Sequence, residues 1–317
     1  MQRYTITLIF LVLLLLPGFL VRQSYKQTYQ VAVFNTIGEI YLWSRNEQSC
    51  RNSARKIIAA WQKLHLTLNR FAPDSELSAL NRTPPGEPFR CSKTLWEIIQ
   101  SAREMHELTD GAFDVSISPL MRLWGFNQPQ PQLPSEEDIA QTLQLVGLDK
   151  LHFNDQECSV TFPLAGMALD FGGLAKGYAL AKAKEILEQD GQDCYMLNLG
   201  GNIYCSKKLP PERRQPFQIG IRDPQNAGRI LKVLTLHGQF VSTSANYERG
   251  IMVGEKKIGH IIDPRTGYPV DNRASVTVVT TRGSYSDAFS TAVFVGGPEL
   301  ARKLSDKVPG TSFDIYQ

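Results

Sequence analysis

The 317-residue chain has only five cysteines, and no two of them stand as Cys-x-x-Cys. That absence argues against a zinc or iron–sulfur site. No block of five or six like charges occurs, and the formal net charge is only +3. Nucleic acid is therefore not an expected partner. No segment repeats at a fixed period, which argues against solenoids and propellers. No proline- or glycine-rich linker divides the region after residue 30, so 30–317 reads as a single structural unit. An oxidising compartment would allow one disulfide among Cys50, Cys91, Cys158, Cys194 and Cys205, with its pairing open. Most of these cysteines read as small buried hydrophobes.

One long uncharged run is present, residues 4–21, with Arg3 before it and Arg22 and Lys26 after it. Its length is at the lower limit for spanning a bilayer. It reads as an uncleaved signal anchor in preference to a cleaved signal peptide, because no small-x-small site is evident. No cysteine lies near its end for lipid attachment. Residues 1–29 are thus anchor plus polar linker, with a membrane contact through residues 4–21. The rest of the chain is expected on the exported, periplasmic side of the inner membrane.

Patterning after the anchor mixes helices and strands without strict alternation. That predicts an α+β fold, with mixed sheets flanked by helices. Residues 30–43 alternate as a strand, and Ile57, Ile58, Trp61, Leu64 and Leu68 form the apolar stripe of a helix over 47–68. Asp74 or Ser75 caps a short helix, Ser92 caps another over 91–111 with Gly111 as its stop, and Ser135 with Asp138 forms a capping box. Residues 127–135 form a proline-rich exposed loop. Strands are expected in "SVTFPLAGMALDF", "CYMLNLGGNIYC", "FQIGIRDP", "ILKVLTLHGQFVSTS" and "ASVTVVTTR", and a last helix near Ser286.

Three stretches carry chemistry. "ALDFGGLAKGYALAKA" (168–183) ends an apolar run in Asp170, turns through two glycines and starts a helix. It is neither Gly-x-Gly-x-x-Gly nor a Gly-Lys-Ser/Thr phosphate loop. Its glycine N–H groups and helix start nonetheless suit an anion, and Lys176 adds a cation. Asp170 could accept from a ribose or ring N–H, or orient Lys176. The stretch reads equally as a glycine-rich turn with a structural Asp–Lys pair. In "GHIIDPRTGYPV" (259–270) His260 leads an apolar strand into a sharp turn, a candidate for acid–base work. The alternative has Asp263 and Arg265 simply pairing within that turn. In "SYSDAFSTAVFVGG" (284–297) Asp287 and Thr291 project from one helix face. A carboxylate plus a hydroxyl suits a hard cation such as Mg2+. The alternative has Asp287 charging the first helical turn and Thr291 packing.

Together with "FNTIGEI", "RFAPDSELSALN", "TDGAFDVSISPLMRLWGF", "LNLGGNIY" and "STSANYER", these stretches resemble, in order, the FAD:protein FMN transferases, the ApbE-type flavin transferases. The resemblance covers nearly all of the chain after the anchor. It implies Mg2+-dependent cleavage of FAD, transfer of FMN to a Thr or Ser of another protein, and release of AMP. It implies flavin-nucleotide contacts at Phe34, Phe71, Ala112, Phe113, Asp114, Asp170, Lys176, His260 and Ile261. It implies a metal site at the Gly173 carbonyl, Asp287 and Thr291, with His260, Asp287 and Lys176 as the catalytic set. Phe34 stands where members often carry Met, Phe71 where Tyr is frequent, and Ala245 where Gly is usual. The hydroxyl hydrogen bond of that Tyr is thereby lost. Thr266 reads as part of its turn, so the acceptor is another chain. A hydrolase using the same site with water, and a non-catalytic flavin carrier, are the competing readings.

Overall fold

A computed structural model describes residues 25–126, 131, 133–210, 215–226, 228–246, 250–253, 256–271 and 275–316. The apolar run at 4–21, and residues 127–130 and 132 of the proline-rich loop, lie outside them. Among the described residues no helix is long and apolar enough to cross a membrane.

The chain opens with β1 (Tyr25–Val33), β2 (Thr36–Ser44), α1 (Glu47–Leu68) and α2 (Glu76–Asn81). Next come β3 (Pro88–Arg90), α3 (Lys93–Leu108), α4 (Ser118–Leu123), α5 (Glu136–Leu143), β4 (His152–Asn154) and β5 (Ser159–Thr161). α6 (Ala175–Gln189) precedes β6 (Tyr195–Leu199), β7 (Asn202–Cys205), β8 (Phe217–Arg222), β9 (Ile230–Leu236) and β10 (Gln239–Ala245). β11 (Gly250–Val253), β12 (Lys256–Gly259), β13 (Ser275–Thr280), α7 (Gly283–Lys307) and β14 (Ser312–Tyr316) complete the order.

The result is the expected α+β architecture. Its centre is a seven-stranded sheet in the order β1-β2-β6-β7-β10-β13-β14. Each pairing in it is antiparallel, where a mixture of directions was expected. Alternation along the strands sends side chains to two different cores. Ile40, Leu42, Phe240, Val276 and Val278 join the main core with residues of α1, α3, α6 and α7. Trp43, Val241 and Val279 point the other way and are covered by Phe217 and Leu236 of the β8–β9 ribbon. A third cluster gathers Leu120, Trp124, Ile139, Ile258 and Ile262 from α4, α5 and the region around β12.

Several elements differ from expectation. The single strand expected over 30–43 is a hairpin, because Phe34 and Asn35 both take positive φ, 51° and 54°. A two-residue turn of that hand matches the twist of its flanking strands. β1 also begins at Tyr25, inside the stretch read as linker. Of "SVTFPLAGMALDF" only Ser159–Thr161 is strand. β12 stops at Gly259, so His260 follows a strand rather than leading one. The cap expectations hold: Ser75, Ser92 and Ser135 each accept from the backbone N–H three residues on, and the Ser135–Asp138 box closes in both directions. All five cysteines are free, and four of them are buried.

Candidate functional site

The loop before α6 is fixed from three sides. The Asn81 amide brackets Leu169, donating to its carbonyl at 2.9 Å and accepting its N–H at 2.8 Å. The Asp170 N–H donates to the Val115 carbonyl at 2.7 Å. The Asp170 carboxylate then folds the chain back by accepting the Gly172 N–H at 2.8 Å. Such side-chain-to-backbone bonds make a turn in place of regular structure.

Asp170 does not orient Lys176. Its second oxygen meets Arg70 Nε at 2.8 Å. The Arg70 guanidinium in turn lies 4.3 Å from the centre of the Phe71 ring. That ring is 57% exposed, unusual for phenylalanine, and offers a free aromatic face next to a buried-side charge pair. Arg70 had no signal of its own in the sequence, since its partner is far along the chain.

Lys176 turns instead to Asp287. Its Nζ stands 3.2 and 3.4 Å from the two Asp287 oxygens, across 111 residues of sequence. The Gly177 N–H donates to the same carboxylate at 3.3 Å. This contact requires α6 and α7 to cross closely. A Cβ on Gly177 would lie 2.6 Å from the Gly283 carbonyl oxygen and 2.9 Å from Asp287 Cβ. The crossing brings Thr291, one turn beyond Asp287, over the glycine loop. A Cβ on Gly173 would sit 3.3 Å from Thr291 Oγ1 and 3.1 Å from the Phe113 ring. Gly173, Lys176, Asp287 and Thr291 therefore converge on one point, as their sequence spacing alone could not show.

β10 supplies hydroxyls to the same place. Ser244 Oγ is 2.8 Å from Ser290 Oγ and 3.2 Å from Thr291 Oγ1, and Ser242 Oγ donates to Ser286 Oγ at 2.9 Å. The period-two "STS" pattern was the available sign that both serines face α7. Apart from the Lys176 ammonium and the Gly177 N–H, the polar groups set against Asp287 and Thr291 are oxygens, and the absence of a side chain at Gly173 lets its turn pack directly against Thr291. That donor set fits a hard cation held by one carboxylate and completed by phosphate oxygens.

The remaining expected residues fall into two groups. Ala112, Phe113 and Asp114 are buried, and Phe113 packs on the Gly173 turn. The Asp114 carboxylate faces inward: it accepts from Ser116 N–H at 2.7 Å, Ser116 Oγ at 2.6 Å and Leu148 N–H at 2.9 Å, with His106 Nδ1 3.2 Å away. Only the backbone of this stretch is left for a ligand. Phe34, half-buried in the hairpin turn, sets its ring edge-on to His65 at 5.6 Å.

His260 and Ile261 belong to a stretch laced to the end of β10. Asn246 donates to the Val270 carbonyl at 2.6 Å, Val270 N–H donates to the Ile261 carbonyl at 2.9 Å, and Gly259 abuts the Asn246 amide. Half-buried His260 thus follows directly on a contact two residues beyond Ser244. Asp263 and Arg265 pair within their turn through two bonds of 2.8 and 2.9 Å.

Known proteins resemble this chain in sequence and in fold. The FAD:protein FMN transferase of Klebsiella pneumoniae (strain 342) is 31% identical over 256 residues, covering 80% of this chain and 78% of that protein. The protein of the same name from Haemophilus influenzae is 30% identical over 261 residues, covering 80% and 75%. The ApbE protein of Thermotoga maritima superposes with a TM-score of 0.84 at 28% identity, over 92% of this chain and 94% of its own. The apo flavinyl transferase ApbE of Pseudomonas stutzeri, 24% identical, shares the fold with a TM-score of 0.79. The family model described as the ApbE family matches residues 27–313, nearly the whole of the chain after its apolar run, and the chain belongs to that family.

Proposed function

We propose that this protein transfers the FMN half of FAD onto a threonine or serine hydroxyl of another polypeptide and releases AMP. The observation that carries the reading is the convergence of Gly173, Lys176, Asp287 and Thr291 from two distant segments. A protein that only bound flavin would have no need of an oxygen-lined cation site at that point. The names of its relatives support the same chemistry.

The Gly173 carbonyl, Asp287 and Thr291 would hold Mg2+. When bound, the ion supplies charge neutralisation and Lewis acidity at the diphosphate oxygens. Lys176, held over the site by Asp287, provides a further positive charge to the same oxygens. In the turn before α6 the N–H groups of Gly172, Leu174, Ala175 and Gly177 are already bonded within the protein, so the start of α6 acts on the anion through its dipole. Phe71, with Arg70 and Asp170 beside it, offers a stacking face and polar partners for the flavin.

In the reaction the acceptor oxygen bonds to the phosphorus of the FMN half. The bond from that phosphorus to the bridging oxygen breaks, and AMP departs with the bridging oxygen. The acceptor's proton goes to His260, which is tied to the site through Asn246 at the end of β10, an imidazole being the side chain suited to such a transfer near neutral pH. Loss of a general base costs roughly 10²–10⁴ in rate.

The decisive experiment incubates the protein with FAD, Mg2+ and a protein bearing an acceptor threonine, and weighs the acceptor. A gain of one FMN, abolished by EDTA and by Asp287→Ala, is expected. AMP release with no mass gain would mean water is the acceptor, and intact FAD would sink both enzymatic readings. Residues 4–21 anchor the chain to the inner membrane with the catalytic unit on the periplasmic side, a reading supported by the uncharged run itself. Protease added to intact spheroplasts is expected to digest the catalytic unit; protection would place it on the other side.

A further inference from the structure

Two of the five cysteines stand opposite each other at the end of a strand pair. β3 and β5 run antiparallel, with Pro88 opposite Thr161, Phe89 opposite Val160 and Arg90 opposite Ser159. One step further the Cys91 N–H donates to the Cys158 carbonyl at 2.9 Å, so the register carries on to this pair. Cα atoms of a hydrogen-bonded antiparallel pair stand about 5.5 Å apart, and a disulfide favours about 5.5–6 Å. Burial pushes the Cys91 thiol up to about 12, and the nearby Glu76 and Cys158 add to that rise, which puts the two sulfurs within electrostatic reach. Cys194 and Cys205 do not meet this geometry. Cys205 stands opposite Met196, so Cys194 is its diagonal neighbour. Diagonal neighbours lie about 7–8 Å apart, beyond the roughly 7 Å that a disulfide spans without moving the backbone.

Cys158 also holds a backbone angle that its side chain does not favour. It ends the β4–β5 turn at φ 51°, and apart from Phe34, Asn35 and Asp110 every other described residue with positive φ is glycine. Asparagine and aspartate suit that region; cysteine does not. Neither thiol has a strong partner. Cys91 Sγ reaches the Phe89 carbonyl at 3.8 Å, and Cys158 Sγ the Asp155 carbonyl at 3.9 Å. Cys91 is buried and Cys158 half-buried, so the pair is reached from solvent through Cys158. β3, β4 and β5 are three residues each, too short to hold firmly by ladder bonds alone. Cys91 directly precedes Ser92, which caps α3 and whose hydroxyl donates to Glu76 of α2 at 2.6 Å. A link at Cys91 would therefore tie β5 to the starts of both helices.

We propose that Cys91 and Cys158 form a disulfide when the catalytic unit reaches an oxidising compartment. This rests on the export of that unit proposed above. The Cys158 sulfur gives up its proton and attacks a disulfide supplied by a thiol–disulfide exchange partner, releasing the first of the partner's thiols. The Cys91 sulfur gives up its proton and attacks Cys158; the bond to the partner breaks and its second thiol departs. The two cysteines lose two electrons, the partner's disulfide gains them, and the two protons end on the partner's thiols. The loop so closed runs from α3 through β4 and includes residues 112–114. Closing a loop of that length restrains the unfolded chain strongly.

The test incubates the reduced, purified full chain with oxidised glutathione, then unfolds it, alkylates it with iodoacetamide and digests it without reductant. A linked peptide pair holding Cys91 and Cys158 is expected, lighter by two hydrogens than its parts, with Cys50, Cys194 and Cys205 alkylated. The oxidised chain is expected to melt several degrees above the chain kept in dithiothreitol. Cys91→Ala is expected to abolish that difference and to leave one glutathione trapped on Cys158. Cys158→Asn, which suits positive φ, is expected to melt no lower than the reduced chain and to ignore the oxidant. A link through Cys50, Cys194 or Cys205 would overturn the proposal. So would glutathione held on Cys158 of the unaltered chain with Cys91 still reduced. The same digest on protein alkylated inside intact cells separates the two readings. A pair that closes with glutathione but is reduced in cells would sink the export and leave the pair. A pair that fails to close with glutathione would sink the disulfide and leave the export to the spheroplast experiment.

Discussion

Asp114 and His106 show how a single pair ties stability to pH. Burial alone would push the Asp114 carboxyl up, but the close approach of the His106 imidazole at 3.2 Å and the hydrogen bonds from Ser116 hold it below the ordinary value. The same contact with Asp114 outweighs desolvation and raises His106 above 6.5. The raised histidine contributes stability that is fully present below about pH 6.5 and is lost as pH climbs through its higher folded value. The lowered aspartate contributes stability present above about 3.8 and lost as pH falls through its lower folded value. Thermal midpoints are therefore expected to be highest between about pH 4 and 6.5 as far as this pair decides them, with a decline on the alkaline side. His106→Gln is expected to flatten that alkaline decline. An unchanged slope between pH 6.5 and 8.5 in that variant would remove the pair from the account. Asp170, by contrast, lies in the loop before α6, where its partners Arg70 and Gly172 N–H shape the loop that meets the ligand.

At the scale of elements the crossing of α6 over α7 is decisive. Gly177→Ala would on propensity alone stabilise a helix by about 1 kcal/mol. Here the added carbon meets the Gly283 carbonyl at 2.6 Å, and overpacking of that kind costs about 1–3 kcal/mol. A net loss of stability is expected, with a larger loss of FMN transfer because Asp287 is displaced from Lys176. A variant that melted higher and kept full activity would show that the helices do not need this approach. The elements themselves were largely legible, because caps and periodicity are local: Ser92, Ser135 and the apolar stripe of α1 act within a few residues. The β1–β2 turn was half legible, since Asn35 readily takes positive φ while Phe34 is not a residue that announces it. The candidate site was legible as separate fragments whose association rested on family resemblance. The Arg70–Asp170 pair, the Ser244 contact with Thr291 and the inward turn of Asp114 depend on packing between remote segments and left no local mark.

Across the whole molecule, the site is a seam between the glycine loop with α6 on one side and α7 with β10 on the other. One carboxylate at this seam is too little to hold a divalent cation firmly, because a hard cation asks for six or more oxygens. FAD alone brings a diphosphate whose two negative charges exceed the single positive charge of Lys176, which Asp287 already engages. Each ligand supplies what the other lacks, so their binding should be strongly coupled. A ligand at a hundred times its Kd adds about 2.7 kcal/mol to folding stability. Mg2+ alone and FAD alone are therefore each expected to raise the thermal midpoint little, and the two together by several degrees. EDTA is expected to erase the joint shift, and Asp287→Ala to abolish it without removing whatever small shift FAD gives alone. A full shift with Mg2+ in the absence of FAD would mean that the protein builds a complete cation site by itself. The seam would then be a metal centre that happens to adjoin a nucleotide, and the substrate's phosphates would not be needed to complete it.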